Sequence, residues 1–189
     1  MKLKKIWVYL VLLISTSVVN ASIVGIDTSI IPGGKLNLGD MVILKVYGAD
    51  FTQATIGGGV NLNFEPSVLR VDEVIFDNSV FDFQKQVNSI DNDLGLVESI
   101  LVSSILSEHA GEFTIAEIKF TAIGAGLSDL ILSPSTFFAP WRTASNQDID
   151  FDFVDGSVQV VPLPAAIWLF GAGLIGLLVT TRNRVQSYS

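Results

Sequence analysis

Gly59-Val60-Asn61-Leu62-Asn63-Phe64-Glu65-Pro66-Ser67-Val68-Leu69-Arg70-Val71 is the stretch that decides the fold class of this 189-residue chain. Val60, Leu62 and Phe64 alternate with Asn61, Asn63 and Glu65. An extended backbone therefore puts apolar side chains on one face only. Pro66 has no amide hydrogen and cannot donate to a ladder, so the strand ends there. Glu65 to Leu69 has room for one helical turn before a second extended run, Leu69–Phe76. Upstream, Gly57-Gly58-Gly59 reads as a bulge or a close approach to the backbone. A phosphate cradle would need a helix N-terminus with a lysine after the glycines, and none follows.

The same two-residue period recurs in both directions. Val42, Leu44 and Val46 alternate with Ile43, Lys45 and Tyr47. Leu96–Leu101, Phe113–Ala122, Ser128–Leu132 and Ser157–Val161 are further strands. Pro32-Gly33-Gly34, Gly39-Asp40, Asp91-Asn92-Asp93, Gly124-Ala125-Gly126 and Asp155-Gly156 supply the turns, with Gly156 expected at positive φ. No long amphipathic helical pattern interrupts them. Many short strands with regular turns predict an all-β protein, an antiparallel β-sandwich. The chain has no cysteine, which excludes disulfides and thiolate metal sites.

Gly39-Asp40 leading into Val42–Tyr47, the quoted stretch from Gly59 to Val71, Ile115–Ala122 with Gly126-Leu127-Ser128, and Phe153-Val154-Asp155-Gly156-Ser157-Val158-Gln159-Val160 fall in the order of the cohesin signatures. Across about residues 30–160 the chain resembles cohesin modules. The resemblance implies the nine-stranded jelly-roll sandwich shared by cohesins and many carbohydrate-binding modules. It also implies protein–protein recognition, in which a flat sheet receives a partner helix or strand. A dockerin partner does not follow, since isolated cohesin-like modules occur without one.

Both ends carry membrane-directed patterns. Lys2, Lys4 and Lys5 precede an apolar run from Ile6 to Ile14, and Val19-Asn20-Ala21 offers small residues to a signal peptidase. That is a secretory signal over residues 1–21, cut between Ala21 and Ser22; the alternative is an uncleaved anchor. Residues 22–161 then form one exported domain, and residues 162–189 a sorting segment. Ala165 to Thr181 is 17 residues without a charge, at the short end of the roughly 17–25 that cross a bilayer. Arg182 and Arg184 form a basic stop. Gly171, Gly173 and Gly176 spell a dinucleotide fingerprint, but within an apolar helix they instead let another helix approach. Val161-Pro162-Leu163-Pro164-Ala165, followed by Trp168 and the glycines, is similar to the VPLPA variant of the PEP-CTERM sorting signals of Gram-negative bacteria. That resemblance implies an exosortase-type membrane peptidase as partner and an association with exopolysaccharide. Asn183 between the arginines, and the residues after Arg184, depart from the pattern. The alternative is a permanent membrane anchor carrying an adhesion domain.

Five of the 11 basic residues lie in the terminal segments, so the domain sets 6 against 19 acidic residues and carries −13. Nucleic acid and anionic lipid surfaces are poor partners for that charge. Catalysis finds no footing either. His109 is the only histidine, expected as a solvated turn residue, and no carboxylate pair stands out, so the domain is read as a non-enzyme. Asp148, Asp150 and Asp152 alternate with apolar residues, and Asp155 follows. One strand face could offer these oxygens to Ca²⁺, although a solvated face over an apolar one fits the alternation directly and is preferred. Phe137, Phe138, Trp141 and Arg142 pack three aromatics and a guanidinium into one loop. Such rings could stack on sugars, or anchor the loop in the core. The expected function is an exported surface or extracellular-matrix module that binds another surface protein. The alternative is a carbohydrate-binding module acting on exopolysaccharide. No cofactor is expected beyond the Ca²⁺ candidate.

Overall fold

A computed structural model describes residues 21–138 and 140–162. The signal-peptide reading of residues 1–20 and the sorting reading from Leu163 onward, with Trp168, the glycines and the arginines, lie outside the described residues. No helix of the described residues is long and apolar enough to cross a membrane.

Eleven strands alternate with tight turns: β1 (Ser22–Asp27), β2 (Lys35–Asn37), β3 (Met41–Thr55), β4 (Gly57–Asn63), β5 (Leu69–Ile75), β6 (Gln84–Asp91), β7 (Leu96–Ser103), β8 (His109–Ala122), β9 (Gly126–Pro134), β10 (Phe151–Val154) and β11 (Gly156–Val161). They form a five-stranded sheet, β10-β1-β3-β8-β5, and a six-stranded sheet, β2-β11-β9-β4-β7-β6. Every strand expected from the alternation is present. The single turn also forms where expected, with Val68 and Leu69 N–H groups both donating to the Glu65 carbonyl.

Two expectations are corrected. The sandwich is not wholly antiparallel, because β1 runs parallel to β10 and β2 parallel to β11. A parallel pair needs a long crossover, and here the rest of the domain serves as that crossover. The strand count is eleven rather than nine. The two additions, β2 and β10, are the shortest strands and each closes one sheet edge, a common way to blunt an edge.

The core lies between the sheets. Val24, Leu44, Val46, Ile118 and Phe120 come from one side, and Val60, Leu62, Ile100, Val102, Leu130 and Val158 from the other, all fully buried. The β4–β7 ladder slips by one residue between Val60 and Leu62. Ser99, in the left-handed region at φ 52°, absorbs the slip. The Asn61 carboxamide holds it there, its Oδ1 accepting the Ser99 amide at 2.8 Å while its Nδ2 donates to the Pro134 carbonyl. Gly156 is not at positive φ. It is small for a different reason: a Cβ there would stand 2.8 Å from Thr28 Cγ2 and 3.0 Å from Ile26 Cγ2.

Candidate functional site

The triglycine governs how the aromatic loop after β9 is seated. On the outer side of β4, a Cβ on Gly59 would lie 2.9 Å from the Phe138 carbonyl oxygen and 3.0 Å from Ser135 Cβ. The loop therefore lies directly on the outer face of the six-stranded sheet. Ser135 anchors it, its Oγ meeting Ser99 Oγ at 2.8 Å and accepting the amides of Phe137 and Phe138. On the inner side, a Cβ on Gly58 would fall 2.4 Å from the Trp141 ring. The chain thus wraps the end of β4, with Phe138 outside and Trp141 inside. Gly57, at φ 140°, lets the backbone pass against the Val102 carbonyl. The expected close approach is what these glycines permit.

Trp141 is therefore not a stacking platform. It is wholly buried and packs with Phe51, Phe113 and Phe81 at ring centroid distances of 5.5, 5.6 and 6.4 Å. A large apolar ring beside a pocket free of Cβ atoms gains more from burial than from exposure. Arg142 turns back to the surface, where Nε donates to Asp148 Oδ1 at 2.9 Å. Phe137 and Phe138 remain outside, 75% and 41% exposed. Of the four loop residues singled out from sequence, only these two present rings to solvent.

The acidic series does not converge. Ile149, Phe151 and Phe153 turn inward and Asp148, Asp150 and Asp152 outward, in the solvated-face arrangement. Asp148 is engaged by Arg142, and Asp155 Oδ1 accepts the Leu132 amide at 2.8 Å. Among the described residues no group of three or more acidic or histidine side chains is placed to hold a metal ion. His109 is not a solvated turn residue either. It opens β8 and packs its ring on Phe81, centroids 4.7 Å apart. Its Nε2 stands 3.3 Å from Ser107 Oγ, but that hydroxyl donates to Asp82 Oδ2 at 2.8 Å. No described hydrogen bond joins a carboxylate to the imidazole, so the order base–orienter of a triad is missing. The Asp82 carboxylate also accepts the amides of Ile105 and Leu106. Those bonds, the Ile105 amide first and the Ser107 hydroxyl next, hold its pKa below the ordinary carboxylate value.

The two outer faces differ in chemistry. The five-stranded sheet carries charges that answer one another: Lys45 with Glu112, Arg70 with Asp72, and Glu73 directly across from Lys119. Asp72 also accepts the Thr121 hydroxyl, and this bond, ahead of Arg70, lowers its pKa. The five-stranded sheet also exposes Met41, Ile43 and Ile75, whereas the six-stranded sheet sets its exposed aliphatics among amides. Asn63 stands opposite Ile131 across β4 and β9, Leu127 lies two rungs along β9, and Gln84, Gln86 and Asn88 line β6. None of the described hydrogen bonds uses the side chains of Asn63, Gln84 or Gln86. Leu127 and Ile131 are about half exposed and, with Asn63, Phe64, Glu65 and Asp129, line an open hollow of about 250 Å³. The Ser67 hydroxyl and amide keep Glu65 ionised by lowering its pKa. The aromatic loop borders this same face, Thr136 donating to Glu98 Oε1. Periodicity alone marked Asn63 and Ile131 as strand residues, but not that they share a face with Leu127, Gln84 and Phe137.

This sandwich is similar to solved cohesins. A chain of a type I cohesin–dockerin complex from Clostridium thermocellum superposes with a TM-score of 0.62 at 12% identity, over 75% of this chain and all of that one. The fold is cohesin-like. A cohesin from Clostridium acetobutylicum gives 0.57 at 17% identity, over 75% of this chain and 91% of that one. A non-cellulosomal cohesin from the archaeon Archaeoglobus fulgidus gives 0.56 at 12% identity, over 78% and 96%. No protein-family model and no curated protein matches the sequence. Identities this low make the likeness one of fold, with the cohesin-like core carried by burial pattern rather than by shared residues.

Proposed function

We propose that this chain is an exported, non-catalytic surface module whose cohesin-like sandwich recognises another surface protein through the outer face of the six-stranded sheet. The observation that carries this reading is the contrast between the two faces. One sets ion pairs among its exposed aliphatics, while the other sets Leu127 and Ile131 beside Asn63, with Gln84 and Gln86 further across the sheet, and none of these amide side chains enters a described hydrogen bond. Amides with free donors and acceptors beside apolar side chains are the composition of a recognition surface, where contacts to a partner replace contacts to water. Cohesin chains solved in complex with dockerins support protein rather than small-molecule recognition. In this reading the signal is removed at Ala21–Ser22. The Val161–Ala165 motif then directs an exosortase-type peptidase, so that the C-terminal helix holds the domain at the inner membrane only until processing delivers it to the cell surface or matrix. The full chain, displayed on a Gram-negative host and offered to surface extracts, tests it: capture of a protein partner that is lost in Leu127→Arg/Ile131→Arg is expected. Retention of that partner by the variant would place recognition elsewhere.

A second reading, polysaccharide binding, draws on Phe137 and Phe138, exposed beside the same amides. Its signature on a glycan array is binding that Phe137→Ala abolishes and the arginine variant spares.

A further inference from the structure

We propose that cutting the Ala21–Ser22 bond creates a structural ion pair: the α-ammonium of Ser22 is the counter-ion of an acidic pocket formed by Asp148 and Asp150. This rests on the proposed cleavage site. Ala21, Ser22, Asp148 and Asp150, with Thr52 and Gln53 of β3 opposite, line one hollow of about 220 Å³. Ser22 is only 5% exposed, and it pairs with Phe151, the residue after Asp150. The residues on either side of the cleaved bond and the two aspartates thus line one hollow, although they come from opposite ends of the domain.

Charge accounts for the choice of occupant. Asp148 already accepts Arg142 Nε, whereas none of the described ion pairs uses Asp150. On the packed strands Asp50 of β3 and Asp152 of β10 are the titratable groups toward this end, while Tyr47 and Lys45 lie further along β3, Lys45 paired with Glu112 and opposite Asp27 at the far end of β1. At this end of the strands Arg142 is the described cation set against Asp148, Asp150, Asp50 and Asp152, since Lys45 lies at the other end of the β1–β3 pair. An intact Ala21–Ser22 peptide brings one neutral N–H to this place. After hydrolysis, water's oxygen goes to the Ala21 carboxyl and Ser22 keeps a protonated amine with three donors. The local field then raises the amine's pKa above its ordinary value. A raised pKa means stabilisation that is complete below the unfolded value, about 7.7–8.0, and is lost as pH rises through the folded value.

The test uses the full chain, exported from a Gram-negative host, purified in detergent and checked by mass spectrometry. Three forms are compared: wild type, Asp150→Asn, and a Gly-Gly insertion after Ala21 that moves the amine outward by about 7 Å. In chains shown to start at Ser22, the expected wild-type α-amino pKa, read by pH-dependent amine labelling, lies above about 8 and falls to the ordinary value in Asp150→Asn. The insertion form should titrate ordinarily as well. At pH 7 both variants should melt about 3 °C below wild type, and the gap should close by pH 10. Equal pKa and melting temperature in wild type and Asp150→Asn, with Ser22 as first residue, would overturn the ion pair while leaving the cleavage site standing. A mass that retains residues 1–21 would overturn both.

Discussion

At Gly58 a single missing methyl decides where the only tryptophan of the domain goes. Gly58→Ala must push the Trp141 ring, so it should destabilise the domain by about 1–3 kcal/mol in urea unfolding. Trp141→Ala should cost about 3–5 kcal/mol. Trp141→Phe should cost clearly less, since Nε1 has no hydrogen-bond partner among the described residues and its loss leaves no donor orphaned. The first and third substitutions separate crowding from cavity formation. At this scale the sequence was partly legible. The triglycine announced a close approach, because three residues without side chains have few other uses in a strand. Nothing in the local pattern said that Trp141, 83 positions away, was what approached. Adjacent Phe137, Phe138 and Trp141 looked alike as rings, and only their seats on opposite sides of β4 distinguish them.

Among elements, the loops are held by carboxylates that stay ionised. Asp82 gathers the Ile105–Ser107 turn, and Asp82→Asn should raise amide hydrogen exchange at Ile105 and Leu106 while leaving β7 protected, because an amide accepts these bonds less strongly than a carboxylate. Asp72 ties β5 to Thr121 of β8, and its pKa lies below the ordinary value. The sign follows: a depressed pKa contributes stability above the unfolded value, about 3.9, and that contribution disappears as pH falls through the folded value. Wild type should therefore melt above Asp72→Asn at pH 7, with the difference shrinking steadily as pH falls below about 3.9 in a calorimetric series. The long strands were readable in advance, since alternation needs only one buried face. β1, β2 and β6 were not predicted as strands, and β10 was read only as an alternating face. Three residues of β2 are too few to show a period, and β6, QKQVNSID, is too polar to show an apolar one.

For the whole molecule, the asymmetry between faces is the property with functional weight. Intact mass of the protein recovered from a Gram-negative host checks the proposed route: loss of Trp168 through Arg184 is expected, and with Trp7 and Trp168 both removed the fluorescence of the processed protein comes from Trp141 alone. Its emission should then be blue-shifted, as for a ring with no solvent exposure. A red-shifted spectrum in the mature form would mean that the loop opens once the ends are gone.

The sequence by itself determined the class of the fold, the excess of negative charge, the absence of disulfides and the patterns at both ends. Each is a matter of composition or of period along the chain, which folding does not alter. Tertiary structure alone decided which rings are buried, that the aspartates point to different partners, and that Asn63, Ile131, Gln84 and Phe137 form one surface. Those relations join residues tens of positions apart. They come from the pairing order of the strands, β9-β4-β7-β6, which no local periodicity encodes.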